Sequence, residues 1–322
     1  LQRYFEYGRS TEGKLRWQIR RDTHTSLLAQ VGLLAAPTDQ PQPERAQQGH
    51  MLVAGYGQSF TGHILSAAAE MDPRIEPRLL GGPGAPLSHS FKLYEQDRHK
   101  HEASIVVLGV LASSLPMLMT LTTMTYAFEH PAPYTYPRYS MRHGRLDELD
   151  PHITSLTEFR SALADDARFR AFRAQLEAHD EAFDPWVFDA GPLDYSLIGR
   201  CMRRALGQRS QHRFLERFHT AGGFTNAGGL LDTADALLAE FARTARADGK
   251  QPFVLLFNDR GYRDDLYRAL GPRLQAHGIE FLSSHELAPP SDARTFIPDG
   301  HFRPELDRAL AAEFLRRLAL SR

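Results

Sequence analysis

Residues Ala103 to Phe128, ASIVVLGVLASSLPMLMTLTTMTYAF, carry no formal charge. A run this long is at home in a bilayer or inside a fold where both faces of a strand are covered. Pro116 interrupts it, its second half is rich in Thr and Ser, and its first half is a β-branched run. The expectation is therefore a central parallel strand followed by a buried turn and helix, not a membrane span. Further strand candidates lie at Met51–Ala54, Arg78–Leu80, Pro252–Phe257 and Ile279–Leu282, beside Ser104–Gly109 within the run itself. Helical patterns stand between them at Phe60–Met71, Leu230–Ala247, Arg263–His277 and Pro304–Leu320. In the last, Leu306, Leu310, Phe314 and Leu318 recur every four residues behind a proline suited to a helix start. Strands alternating with helices imply an α/β fold, a parallel sheet with helices on both faces. Such sheets bind ligands at the carboxyl ends of their strands.

Composition narrows the class. In 322 residues, 38 Lys and Arg balance 39 Asp and Glu. This argues against a nucleic-acid binder, whose phosphate contacts need a basic surplus. The one cysteine, Cys201, excludes an internal disulfide and a cysteine-based zinc site, and is expected as a half-buried small side chain on a helix. No cofactor motif stands out: Gly81–Gly84 lacks the Gly-Lys-Ser/Thr of a phosphate loop. His99-Lys100-His101-Glu102 reads as a solvated loop rather than a metal site, and His89 as a surface histidine.

Residues 1–49 are polar and carry Pro37, Pro41 and Pro43, which suggests an N-terminal helical arm ending in a linker. Residues 50–322 form the main domain, and within it the strand–helix alternation stops over about 130–229. That segment, entered through the aromatic loop Tyr126–Tyr139, is expected to be a helical insertion that caps or flanks the active-site edge. The chain begins at Leu1 rather than methionine, so a removed N-terminal segment is expected, and no signal peptide is visible.

The chemistry concentrates at the two ends of the alternation. Met51–Gly62, MLVAGYGQSFTG, is an apolar run, a glycine turn, and Ser59 opening a helix. Gly57 permits a turn that a side chain would block, and the helix N-terminus offers free N–H groups to a developing oxyanion. Near the other end, Pro298–Pro304, PDGHFRP, sets Asp299 beside His301 before a closing helix. A serine on a strand-to-helix turn with a distant acid and histidine is the arrangement of a serine nucleophile and its base.

These segments resemble the SGNH/GDSL hydrolase superfamily, flavodoxin-like three-layer α/β proteins that include esterases, deacetylases and acyltransferases. Gly57-Gln58-Ser59-Phe60-Thr61 is similar to the first family block, GDSFT, with Gln58 in place of aspartate. The resemblance implies that Ser59 is the nucleophile. Gly81-Gly82-Pro83-Gly84 stands at the second block, which implies that the Gly84 N–H joins the Ser59 N–H in an oxyanion hole. Asp299 and His301 match the last block, with Asp292 as the fallback acid. Two departures stand out. The spacing is DxH rather than DxxH, and the third-block asparagine is missing, leaving Ser113 or Ser114 as candidate donors.

The resemblance implies a cofactor-free serine esterase acting through Ser59, His301 and Asp299 on an ester of a small acyl group, an O-acetyl group on a carbohydrate being one candidate. Tyr134 and Tyr136 are candidate stacking platforms for sugar rings, and Asn258 and Asp259, at a strand end, candidate substrate contacts. The alternatives are an O-acyltransferase using the same triad, and a catalytically degenerate domain that binds glycan. Export with an N-terminal anchor is the corresponding expectation for location.

Overall fold

The computed structural model describes residues 6–20, 41–129, 131 and 134–320. The sequence-based expectations for residues 1–5 and 21–40, including Pro37, lie outside the described residues. The chain divides into two compact units, each described in turn.

The sheet unit comprises Thr38–Leu115, Met141–Leu146 and Ala221–Arg322. The five strands of its parallel sheet are β1 (Met51–Gly57), β2 (Ile75–Gly81), β3 (Ile105–Leu111), β4 (Gln251–Phe257) and β5 (Glu280–Ser283). All pair in parallel, in the order β2-β1-β3-β4-β5. This is the flavodoxin-like doubly wound order, which reverses between β1 and β3 and opens a crevice there. Helices α1 (Ser59–Met71) and α5 (Pro304–Leu320) cover one face. Helices α2 (Leu87–Asp97), α3 (Leu230–Ala247) and α4 (Asp265–Ala276) cover the other, giving three layers.

Each sequence-expected strand and helix of this unit is present; three strands run one to three residues longer, while β3 and β5 start one residue later and extend further at their ends. Helix α2 is the one sheet-covering helix absent from the sequence-based expectations. Its stretch LSHSFKLYEQD interrupts its helix-forming Leu, Lys, Glu and Gln with Ser88, His89 and Ser90, and parallel β2 and β3 need a crossover between them. The charge-free run becomes β3, buried throughout, then a 3₁₀ segment Ala112–Met119 and a short helix Thr123–Tyr126. The core between the sheet and the first helical face runs through Val53, Phe60, Ile64, Val107, Phe253, Phe257 and Phe314.

The other face of β1 holds a buried polar network. Arg78 donates to both Asp97 carboxylate oxygens at 2.6 and 2.8 Å, and the Tyr56 hydroxyl donates to Oδ2 at 2.9 Å. His101 Nδ1 accepts the Ala103 N–H at 3.1 Å, which leaves the proton on Nε2, 2.8 Å from the Tyr56 oxygen. The loop read as solvated thus sends His101 into the core, where burial, then Lys250, lowers its pKa to about 4. Burial alone would raise the Asp97 pKa, but the hydrogen bonds from Arg78 and Tyr56 outweigh it and hold it low. Arg78 also donates to the Gln42 and Pro43 carbonyls, tying the preceding chain to β2.

The helical unit comprises Leu1–Pro37, Pro116–Ser140 and Asp147–Thr220. Its core gathers Leu15, Leu121, Met124, Phe159, Phe172, Leu176 and Phe188. Buried Asp180 accepts the Leu121 N–H and the Thr125 hydroxyl at 2.8 and 2.9 Å, and burial raises its pKa to about 7. Asp194 takes the Ser10 N–H at 2.7 Å and pairs with Arg203 at 2.7 Å, joining the helix Thr11–Arg20 to the long helix Leu197–Phe218. Cys201, expected half-buried, is exposed on that long helix. Among the described residues, no helix is long and apolar enough to cross a membrane.

Truncating Asp97 leaves Arg78 buried without its carboxylate. The Asp97→Ala variant is expected to lose about 3–5 kcal/mol of stability, read as a lowered urea midpoint with an unchanged slope. A loss under about 0.5 kcal/mol, the size of an ordinary surface substitution, would contradict the network's role.

Candidate active site

Ser59 stands at the first position of α1, with Gln58 as its extended N-cap residue. The Gln58 carbonyl already accepts from Thr61 and Gly62 at 3.0 and 3.3 Å. The Ser59 N–H has no acceptor among the described residues, as expected of the first helical turn. Close packing holds this point. A Cβ on Gly55 would meet Leu65 Cδ1 at 2.3 Å, and one on Gly57 would meet Thr61 Oγ1 at 2.2 Å. Gly81, paired in register with Gly57, would drive a Cβ to 1.7 Å from the Gly57 carbonyl oxygen.

Asp299 and His301 sit in a tight hairpin before α5. Ile297 accepts the Gly300 N–H at 3.0 Å and donates to the His301 carbonyl at 2.9 Å, and Phe296 bridges Phe302 antiparallel. Pro298 leads the turn and Gly300 closes it at φ +97°, the glycine-favouring region. The Asp299 carboxylate accepts the His301 N–H at 3.1 Å and lies 3.1 Å from its Nδ1. The His301 Nε2 lies 2.6 Å from Ser59 Oγ. The imidazole is held between Phe60 and His63, both with ring centroids 5.0 Å from its own. The structure therefore brings the three sequence-selected residues into one chain of contacts, and the DxH spacing suffices for it. Asp299 is solvated, its side chain 62% exposed. The His301 N–H, then its ring, hold the Asp299 pKa below the usual carboxylate range. The fallback acid Asp292 instead caps and pairs with Arg294.

A cavity of about 310 Å³ opens beside Ser59, lined on its far side by Gly81, Gly82 and Pro83. Gly82 donates its N–H to Gly57, Ala85 donates to Gly82, and Pro83 has none to give. Gly84, at φ +58° in a Pro-Gly turn, keeps the N–H in this loop that has no acceptor among the described residues. Ser113 and Ser114 are placed differently from the sequence-based expectation. Ser114 Oγ donates to the Leu111 and Ala85 carbonyls at 3.1 and 3.3 Å, and Ser113 donates its N–H to Asp259 at 3.0 Å. None of Gly84, Ser113 and Ser114 is among the residues lining the cavity, which ends at Pro83, the neighbour of Gly84.

Three candidate substrate contacts are also engaged within their own units. Asn258 is fully buried, its amide donating to Ser283 at 3.0 Å and accepting from the Leu266 N–H at 3.2 Å, so it staples β4 to its neighbours. Asp259 is half-buried on Ser113, and burial raises its pKa. Tyr136, in the helical unit, is buried with its hydroxyl 2.7 Å from Thr120, so it has no face for a sugar ring. Tyr134 of the same unit is half-buried, and burial raises its hydroxyl pKa to about 12.

The structure adds residues that sequence reasoning did not select. His63 stands one turn after Ser59, a spacing that places both on one helix face. Its Nδ1 lies 3.6 Å from Asp307 Oδ2 on α5. Asp307 is buried and its Oδ1 has no hydrogen-bond partner. Burial raises the Asp307 pKa to about 6, while burial and then His301 lower that of His63. Beneath the helix start, the Gln58 amide and Thr61 Oγ1 are buried without partners. His89, read as a surface residue, is buried against Gly82 with its pKa lowered to about 4.

No protein-family model matches the chain, and no curated protein matches it in sequence. Among solved structures, it aligns with a Bacteroides fragilis protein described as a "putative acylhydrolase", at 10% identity and a TM-score of 0.38. The alignment covers 88% of this chain and 92% of that one. A likeness this distant carries no argument.

Two outcomes follow. Gly300→Ala places a side chain at φ +97°, so a loss of about 1–2 kcal/mol is expected, with Gly300→Asn less affected, both measured by thermal unfolding. Asp307 has a folded pKa above its unfolded value, so its charging destabilises the fold as pH rises through about 6. Asp307→Asn should match the parent's urea midpoint near pH 4 and exceed it at pH 8. A constant difference across that range would refute the assignment.

Proposed function

We propose that the sheet unit is a serine esterase of the SGNH/GDSL type, acting on esters of small acyl groups. The reading rests on one observation above all: Ser59 Oγ lies 2.6 Å from His301 Nε2, whose Nδ1 lies 3.1 Å from Asp299. A hydroxyl within hydrogen-bond reach of an imidazole that is oriented by a third group is the geometry of an activated nucleophile. His301 Nε2 takes the Ser59 proton as Oγ attacks the ester carbonyl, then returns it to the departing alkoxide. Water, activated by the same imidazole, resolves the acyl-enzyme and releases the acid. The Ser59 and Gly84 N–H groups receive the oxyanion, aided by the positive end of α1. Asp299 steers the imidazole and stabilises its charged form. Carbohydrate as the alcohol part had drawn support from Tyr134 and Tyr136, and the burial of Tyr136 removes its share of that support.

The test is hydrolysis of a chromogenic acetyl ester by the parent and three variants. Ser59→Ala and His301→Ala are expected to lose at least about 10³-fold in kcat/KM. Asp299→Asn is expected to lose well under the roughly 10⁴-fold typical of a buried triad acid, because its carboxylate is solvated. A fluorophosphonate should label the parent and not Ser59→Ala. Parent-like activity in Ser59→Ala would sink the reading.

A further inference from the structure

The long helix of the helical unit, Leu197–Phe218, is apolar on two sides. One side carries Phe214 and Phe218 into the core. The other leaves Leu197, Ile198, Met202 and Leu206 in water, with Ile198 75% exposed. Ile198, Met202 and Leu206 are spaced by four, so they form a single stripe along the first three turns. Two aromatic residues extend it: Tyr195, just before the helix, is 89% exposed, and Trp186 is 71% exposed. The Trp186 carbonyl accepts from Arg203 at 3.1 Å, which fixes that segment against the same helix. Large apolar side chains grouped this way on a surface mark a docking site.

The charge along the same helix selects the occupant. It contains six arginines and one carboxylate, Glu216. Four arginines are matched within the unit: Arg200 by Glu6, Arg203 by Asp194, Arg204 by Glu129 and Arg217 by Glu181. Glu216 is taken by His212 at 3.0 Å. Arg209 and Arg213 continue the exposed face at helical spacing, and neither has a carboxylate partner among the described residues. A second copy of the chain would bring two more such arginines to this face against one carboxylate without an arginine partner among the described residues, Asp184, which accepts the Trp186 N–H at 3.0 Å. A lipid surface with anionic headgroups answers both halves of the stripe. Apolar and aromatic side chains enter the headgroup–acyl boundary, and the arginines meet phosphate.

We propose that this face, Trp186, Tyr195, Ile198, Met202, Arg209 and Arg213, docks the protein on an anionic membrane surface, with the helix lying in the interface. The proposal is independent of the ester reading, since it concerns the helical unit and is tested without activity.

The test is co-sedimentation with phosphatidylcholine vesicles, with and without phosphatidylglycerol. Binding is expected with phosphatidylglycerol and should weaken between about 0.1 and 1 M salt, as the screening length falls from about 10 to 3 Å. Ile198→Ser combined with Met202→Ser should abolish binding. These sites are exposed, so an unchanged melting temperature will show that the fold is intact. Arg209→Gln combined with Arg213→Gln should cost about 25-fold in affinity for the anionic vesicles, about fivefold per arginine. An environment-sensitive fluorophore on Cys201, the sole cysteine and exposed on this helix, should shift to the blue on binding. No pelleting with phosphatidylglycerol, or binding that survives the Ile198/Met202 changes, would overturn the proposal. A dimer seen by light scattering and lost in those same variants would also overturn it, giving the face to a second copy.

Discussion

Helix α1 lies so close to the sheet that the strands beneath it cannot carry side chains at three points. A Cβ on Gly55 collides with Leu65, one on Gly57 with Thr61, and one on Gly109 with Thr61 Oγ1 at 1.9 Å. Real Cβ contacts do not reach these distances, and interiors as dense as crystals have no slack to absorb them. The approach fixes where the helix begins, and with it the position of Ser59 Oγ and the direction of the first-turn N–H groups. It also pulls β2 in, since Gly81 abuts the Gly57 carbonyl. Glycines of β1 and β2, Gly55, Gly57 and Gly81, thus line the cavity beside Ser59.

The second half of the site is held by a different device. His301 is carried on a short hairpin, a kind of element that tolerates motion, yet its ring is packed between Phe60 and His63 of α1. The helix that carries the serine therefore also aligns the imidazole facing it. Two carboxylates then stand close by in opposite environments, Asp299 against His301 and Asp307 against His63. Asp299 is solvated with its pKa lowered by the His301 N–H, whereas Asp307 is buried with its pKa raised to about 6. Environments that push paired groups apart in this way are a mark of sites where protons move.

The strands and covering helices were legible because their signals are local: β-branched runs between helical periodicities, with glycine or proline at the junctions. Helix α2 was not, since the Ser88-His89-Ser90 run at its start obscures a helix that the crossover from β2 to β3 requires. Ser59, Asp299 and His301 were legible because each sits in a short motif. His63 and Asp307 were not, because their meaning comes from two helices, far apart in sequence, packing side by side. The same limit explains His101 and His89: a histidine in a polar stretch looks solvated until the fold turns it inward. Burial of Tyr136 and Asn258 is likewise a tertiary fact. A tyrosine in a Pro-rich loop and an asparagine at a strand end look alike in sequence whether free or bonded.

The asparagine that the resemblance to SGNH hydrolases leads one to expect after the third strand has no counterpart here. Its nearest side-chain replacements, Ser113 and Ser114, are committed to Asp259 and to two carbonyls. Within the loop 82–85, Gly82 and Ala85 have given away their N–H groups and Pro83 lacks one, so Gly84 alone remains. On the proposed reading, the oxyanion is then met by two backbone donors and the end of α1. Backbone donors need no rotamer to be held, and that of Ser59 is fixed by the glycine packing beneath α1. The cost of that packing falls beneath them, where Gln58 and Thr61 are left with buried polar atoms unpartnered, at about 1–3 kcal/mol each. Buried unpartnered polar atoms occur elsewhere too, at Ser88 and Asp307 for example, but of the residues that carry them Gln58 and Thr61 are the ones that line the cavity beside Ser59.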